Sequence, residues 1–98
     1  MEVPEFSPDG PDLIYVAIAD HITARIAAGQ LRPNEQLPPE RELAAEYGHA
    51  YMTVRRAMKE LRGRGLVVSV LGRGTFITKD APERARARTW EQDGPDQD

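Results

Sequence analysis

Residues 37–77 constrain this chain more than any other stretch. They read LPPERELAAEYGHAYMTVRRAMKELRGRGLVVSVLGRGTFI. Two short amphipathic helical patterns, split by a glycine turn, run straight into two β-branched segments around a Gly-rich tip. Leu43, Ala44 and Tyr47 form the apolar stripe of the first pattern. Val54, Met58 and Leu61 form that of the second, and Ala57 lets a neighbouring helix approach closely. Gly48 supplies the permissive backbone that a tight inter-helix turn needs. Gly63 and Gly65 stop the second of these patterns, and LVVSV and GTFIT flank the tip residues LGR. This order of helix, turn, helix and hairpin takes up almost half of the 98 residues, so a single small domain is expected.

The remaining elements follow from the same patterns. Residues 1–11 read as a disordered arm, because Pro4, Pro8, Gly10 and Pro11 permit no regular element. Asp12 is placed to cap a helix over about 13–28. Ile14, Ile18, Ile22 and Ile26 repeat every four residues there, and Leu13 and Ala17 widen the stripe. Gly29 ends that helix as a left-handed cap. QLRPNEQL reads as a loop whose Leu31 and Leu37 tuck into the core. A proline costs no hydrogen bond in a first helical turn, so the second helix starts near Pro39, with Glu40 and Glu42 at its positive end. The third helix covers about 51–62. Residues 80–92 read as a fourth, with Asp80 as cap and Pro82 in its first turn, although Arg84, Arg86 and Arg88 mark no apolar face. The closing DGPDQD reads as disordered. The fold class is α+β, mainly α: a three-helix winged helix-turn-helix over 12–79 with a C-terminal two-stranded hairpin, followed by an acidic tail over 80–98.

Charge is distributed unevenly. The formal net charge is −3, which argues at first against an anionic partner. Yet residues 51–79 carry Arg55, Arg56, Lys59, Arg62, Arg64, Arg73 and Lys79 against Glu60 alone. The acidic residues gather at the ends: Glu2, Glu5 and Asp9 in the arm, and Glu83, Glu91, Asp93, Asp96 and Asp98 in the tail. Charges beyond about 10 Å are screened at roughly 0.1 M salt, so the local field decides what the middle segment attracts. The longest apolar run is far short of a membrane span, and the acidic, Pro-rich start is unlike a secretory leader. Cysteine is absent, which removes disulfides and thiolate metal sites. A cytoplasmic protein is the expectation. His21 and His49 lack ligand spacing, and no nucleophile–base pair is visible. Neither a metal, a cofactor nor an enzymatic activity is therefore expected.

Helix, turn and helix followed by a hairpin is an arrangement that reads double-stranded DNA. A recognition helix presents polar side chains to base edges in the major groove while its back packs on the preceding helix. Tyr51, Met52, Arg55 and Arg56 occupy the first turns of the third helix, the part that enters the groove. Thr53 is suited to bonding a phosphate or capping the helix. Arg55 suits a bidentate contact with guanine; the competing role is a pair with a glutamate on the second helix. Gly72 and Gly74 bracket Arg73 at the hairpin tip, where backbone amides approach a phosphate or the arginine enters the minor groove. Arg41, near the start of the second helix, reaches toward the sugar–phosphate backbone unless Glu42 or Glu46 holds it. Trp90 either packs back on the first helix or meets a partner.

The span from Tyr15 to Ile77 resembles the winged helix-turn-helix domain of the GntR family. The resemblance is carried by Leu37-Pro38, Glu40-Arg41, Leu43-Ala44, Thr53-Val54-Arg55, Ala57, Leu61, Gly65-Leu66 and the wing Gly72-Arg73-Gly74-Thr75-Phe76. It implies DNA contacts by Arg41, Arg55 and Gly72. Three departures stand out. The family's Val-Ser-Arg entering the recognition helix is His49-Ala50-Tyr51 here, which loses a hydroxyl cap and a base-reading arginine. The serine usual between Pro38 and Glu40 is Pro39, which loses a second cap; each such cap is worth typically about 1 kcal/mol. Only about twenty residues follow the wing, too few to enclose a pocket of roughly 300 Å³. The expectation is a stand-alone reader with no small-molecule effector, a transcriptional repressor that pairs as a homodimer on DNA. Its dimer surface would be the open side of the first helix together with residues 80–92 and Trp90, and loss of residues 81–98 would leave the fold intact. The competing reading is a protein-interaction module using Tyr51, Met52 and Trp90 as apolar contacts.

Overall fold

The computed structural model describes Val3 and residues 14–92, with side chains as far as Arg88. The expectations for the N-terminal arm, Asp12, Leu13, the Trp90 side chain and DGPDQD lie outside the described residues. Helix α1 (Ile14–Ala27) buries Ile18, Ile22 and Ile26 as its spacing demands, while Ile14 is only partly covered. A second stripe, Ala19, Thr23 and Ala27, is equally buried, so α1 is enclosed on two sides. The Thr23 hydroxyl turns back to donate to Ala19 O at 2.8 Å. Gly29 (φ 84°) closes the helix: its amide donates to Ile26 O and that of Gln30 to Arg25 O. This double bond pattern satisfies carbonyls the helix end would otherwise orphan.

Helix α2 (Glu40–Tyr47) begins one residue later than expected. Pro39 is the cap, with extended backbone (φ −55°, ψ 153°), and its carbonyl accepts from Leu43 N at 3.0 Å. Gly48 (φ 70°) makes the turn, with its amide and that of His49 both donating to Ala44 O. Helix α3 (Tyr51–Gly63) buries Val54, Ala57, Met58 and Leu61 against α1 and α2. Gly63 does not stop it. Gly65 (φ 78°) does, repeating the α1 ending with bonds from Gly65 N to Arg62 O and Leu66 N to Leu61 O.

Strands β1 (Val67–Val70) and β2 (Gly74–Ile77) pair antiparallel, Val67 opposite Ile77 and Val70 opposite Gly74. The segment expected to be a plain loop lies along the other edge of β2. Leu37 N donates to Thr75 O, Ile77 N to Glu35 O and Asn34 N to Ile77 O, so Gln36 forms a bridge with Phe76. The wing is thus tied by backbone bonds to the α1–α2 connection. Gly74 is required where the two cross. Its φ is 120°, and a Cβ there would lie 2.6 Å from Gln36 Nε2, the amide that donates to Arg73 O at 2.9 Å.

Helix α4 (Ala81–Gln92) packs on the second face of α1. Ala81 and Ala85, one turn apart, are fully buried; their small side chains let the helices approach closely, which an apolar stripe of large residues is not needed to do. Arg86 Nε donates to Ala27 O at 3.3 Å, capping α1. The start of the tail is therefore part of the core. Its removal would uncover α1, contrary to the expectation that residues 81–98 are dispensable for folding, and the face of α1 proposed for a dimer is covered by the chain's own α4. Among the described residues no helix is long and apolar enough to cross a membrane.

Candidate nucleic-acid interface

The core stripe of α3 fixes what its opposite face presents. With Val54, Ala57, Met58 and Leu61 inward, Met52, Arg55, Lys59 and Arg62 point outward, 3.6 residues per turn leaving them no other direction. Met52 is 62% exposed. Together with Arg56 these four line a shallow depression of about 280 Å³. Arg55 has no ion pair or hydrogen bond among the described residues, and the α2 glutamate considered as its partner is not engaged with it. Glu46 instead meets Arg25 at 3.3 Å.

Arg41, Tyr51 and Gly74 come together beside this face. They line a cleft of about 300 Å³ between the start of α2, the start of α3 and the wing. The Arg41 guanidinium lies 5.2 Å from the centre of the Tyr51 ring, within the range in which a ring's negative face attracts a cation. Arg41 is exposed, and among the described residues it has no ion pair with Glu42 or Glu46; Glu46 is engaged by Arg25. At the wing tip Gly72 (φ 78°) has open space around it, and the Arg73 side chain is exposed while its amide closes the turn onto Val70 O. Arg62 Nη1 donates to Ser69 Oγ at 3.2 Å, and Ser69 Oγ lies 3.2 Å from Thr75 Oγ1, linking α3 to both strands.

Two sequence assignments land elsewhere. Thr53 does not cap α3: Ala50 is the cap residue, with no side-chain bond, and Thr53 sits in the first turn with its amide on Ala50 O. Arg56 is turned toward α1, its guanidinium 4.3 Å over the Tyr15 ring. A second cation, Arg64, leaves the surface altogether. The Arg64 side chain is 5% exposed, with Nη2 2.8 Å from Asp20 Oδ1, Nε 3.1 Å from Glu60 Oε2 and Nη1 donating to Thr23 at 3.0 Å. It locks the end of α3 to α1, and the carboxylates of Asp20 and Glu60 offset its charge. The Glu60–Arg64 spacing of four residues was the one sequence signal for it.

Behind the interface, His21 Nδ1 lies 2.8 Å from the Tyr47 hydroxyl, which also accepts from Arg25 at 3.3 Å. Burial pushes the Tyr47 hydroxyl above its usual pKa of 10.0, partly offset by the Arg25 bond and charge. His21 is thus a helix-pairing side chain, and among the described residues no group of His, Asp and Glu could hold a metal ion.

Comparison with known proteins agrees with this geometry. The family model "Bacterial regulatory proteins, gntR family" matches residues 14–77. The repressor NagR of Bacillus subtilis is 41% identical over 75 residues, 76% of this chain and 31% of that protein. The chain thus spans about a third of the length of the curated relatives it matches. A GntR family transcriptional regulator from Listeria monocytogenes superposes with a TM-score of 0.79 at 28% identity, covering 87% of this chain and 76% of that one. The DNA-binding domain of AraR in complex with operator ORR3 superposes with a TM-score of 0.62 at 32% identity, covering 74% and 90%. Fold, motif spacing and family match converge: the chain belongs to the GntR family and forms its winged helix-turn-helix domain.

Proposed function

We propose that this chain is a sequence-specific reader of double-stranded DNA acting as a transcriptional repressor, with α3 in the major groove and the wing on the minor groove or phosphates. The observation that carries the reading is the outward face of α3. Arg55 stands there without a partner beside Met52, Lys59 and Arg62, and an arginine left unpaired on a groove-sized helix suits guanine O6 and N7. The similar AraR domain is solved in complex with an operator, which supports DNA as the partner of this fold. Arg41, Thr53, Gly72, Arg73 and Gly74 would position the domain on the backbone, and Arg56 would flank it. A single winged helix covers one half-site with about 600–1,000 Å² of protein surface. Two copies on a palindrome would raise the effective concentration without new base contacts, so a homodimer completed on DNA is part of the proposal.

Titration of the whole chain into DNA selected by it, over a range of salt, tests the reading. Affinity should fall steeply as salt rises, and Arg73→Ala should lower the salt slope by about one. Equal affinity for selected and random DNA would overturn sequence-specific reading. One copy per two-half-site operator, measured by sedimentation, would overturn the dimer.

A further inference from the structure

The first turn of α3 lacks the arginine that the family resemblance places there. Tyr51 stands at that position, and its ring is engaged by Arg41 at 5.2 Å. Tyr51 thus holds a neighbouring cation in place and offers no donor fork of its own to a guanine. The next residue, Met52, is 62% exposed, on the outward face and in the first turn of α3, where the N-terminal residues of a recognition helix contact base edges. It is a large, unbranched, apolar side chain with open space before it, flanked by Arg55 and Arg56. Water-exposed methionine gains nothing for the fold at this position, since the core of α3 is complete without it.

In the major groove one base displays an apolar group: thymine, through its 5-methyl. Every other base edge there shows donors or acceptors that a thioether satisfies poorly. We propose that Met52 reads the methyl group of a thymine, so that the entry turn of α3 selects T where an arginine would select G, while Arg55 one turn later keeps the guanine contact. This rests on the DNA-reading function above and deepens it to one base. Tyr51 is a positioning residue in this scheme: it fixes Arg41 beside the groove.

Replacing each thymine of the selected operator, one at a time, with deoxyuridine removes one methyl group and nothing else. At one position per half-site, affinity should fall about three- to fivefold, the factor expected for a buried methyl-sized group. Met52→Ala should bind the thymine and deoxyuridine operators equally well, and because Met52 is exposed the variant should keep its melting temperature. Selective binding that ignores every methyl, or a methyl effect that persists in Met52→Ala, overturns the assignment and leaves Arg55 reading intact. Absence of any preferred sequence overturns the assignment and the DNA-reading function together.

Discussion

Arg55 and Arg64 lie nine residues apart near opposite ends of one helix, and composition gives no reason to treat them differently. The structure does. Arg55 projects from the face of α3 opposite its core stripe and meets no counter-charge among the described residues. Arg64 follows the last turn, where the chain bends back over α1, and is enclosed by Asp20, Glu60 and Thr23. One end of the helix thus spends its cation on holding α1 and α3 together, and the other leaves its cation free for something outside the molecule. An unpaired arginine has only water and weak screening to compete with a ligand, whereas a buried paired one has already given up its hydration. The lesson is that a basic segment must be counted by partners, not by residues. Of the cations between residues 51 and 79, Arg64 is internal, Arg56 is held on Tyr15 and Arg62 bonds the wing.

The largest effect should come from the enclosed end. Arg64→Ala removes a nearly buried side chain and leaves Asp20 and Glu60 without their shared cation. Breaking a fully buried pair costs about 3–5 kcal/mol. The acidic partners are 43% and 34% exposed and regain water, so about 2–3 kcal/mol of folding stability is expected. Urea denaturation measures it. DNA affinity, taken at a temperature where the variant is folded, should change little; a large loss of affinity without loss of stability would erase the contrast between the two ends.

Arg55→Ala is the mirror experiment. Stability should move by no more than about 0.5 kcal/mol, as for exposed positions generally. Binding should weaken by about 1–3 kcal/mol and lose selectivity at one base position. If affinity drops equally for every DNA sequence, Arg55 contacts phosphate and not a base edge.

Much of this contrast was legible in the sequence, and what was not has a physical reason. The apolar stripes of α2 and α3 fixed the outward face, and so Met52 and Arg55, because helical period leaves no freedom once the core is known. The glycines at 29 and 48 gave their turns through backbone freedom alone. Long-range pairing was hidden. Pro33 and Asn34 break the alternation that would mark a strand, yet Gln36 still bridges β2 through backbone groups that no side-chain pattern reveals. Helix α4 docks through two alanines, whose burial needs only closeness and leaves no hydrophobic signature. The fate of Arg64 depended on Asp20, forty-four residues earlier in the chain, and so on the fold itself.

The smallest effect should come from the α1–α2 contact, which involves neither Arg55 nor Arg64. Tyr47 is buried there, its hydroxyl bonded to His21 and Arg25. Burial is the main reason its pKa lies above 10.0, and that value sets the direction of the pH dependence. The neutral phenol is the form the fold prefers. Its contribution is fully present below pH 10, the unfolded value, and is lost as pH rises through the higher folded value. Stability followed by urea denaturation should therefore be flat with respect to Tyr47 from pH 7 to 9 and decline above 10. Tyr47→Phe should lose about 1 kcal/mol at neutral pH through the missing hydroxyl bonds, and should show a shallower decline above pH 10. Parallel declines in both proteins would assign the alkaline loss to other groups. An unchanged neutral stability in the variant would show that the His21 and Arg25 bonds are matched by water in the unfolded chain. The orientation of α2, and with it Arg41, would then rest on the packing of Leu43 and the ring at position 47, the Arg25–Glu46 pair and the Gly48 turn.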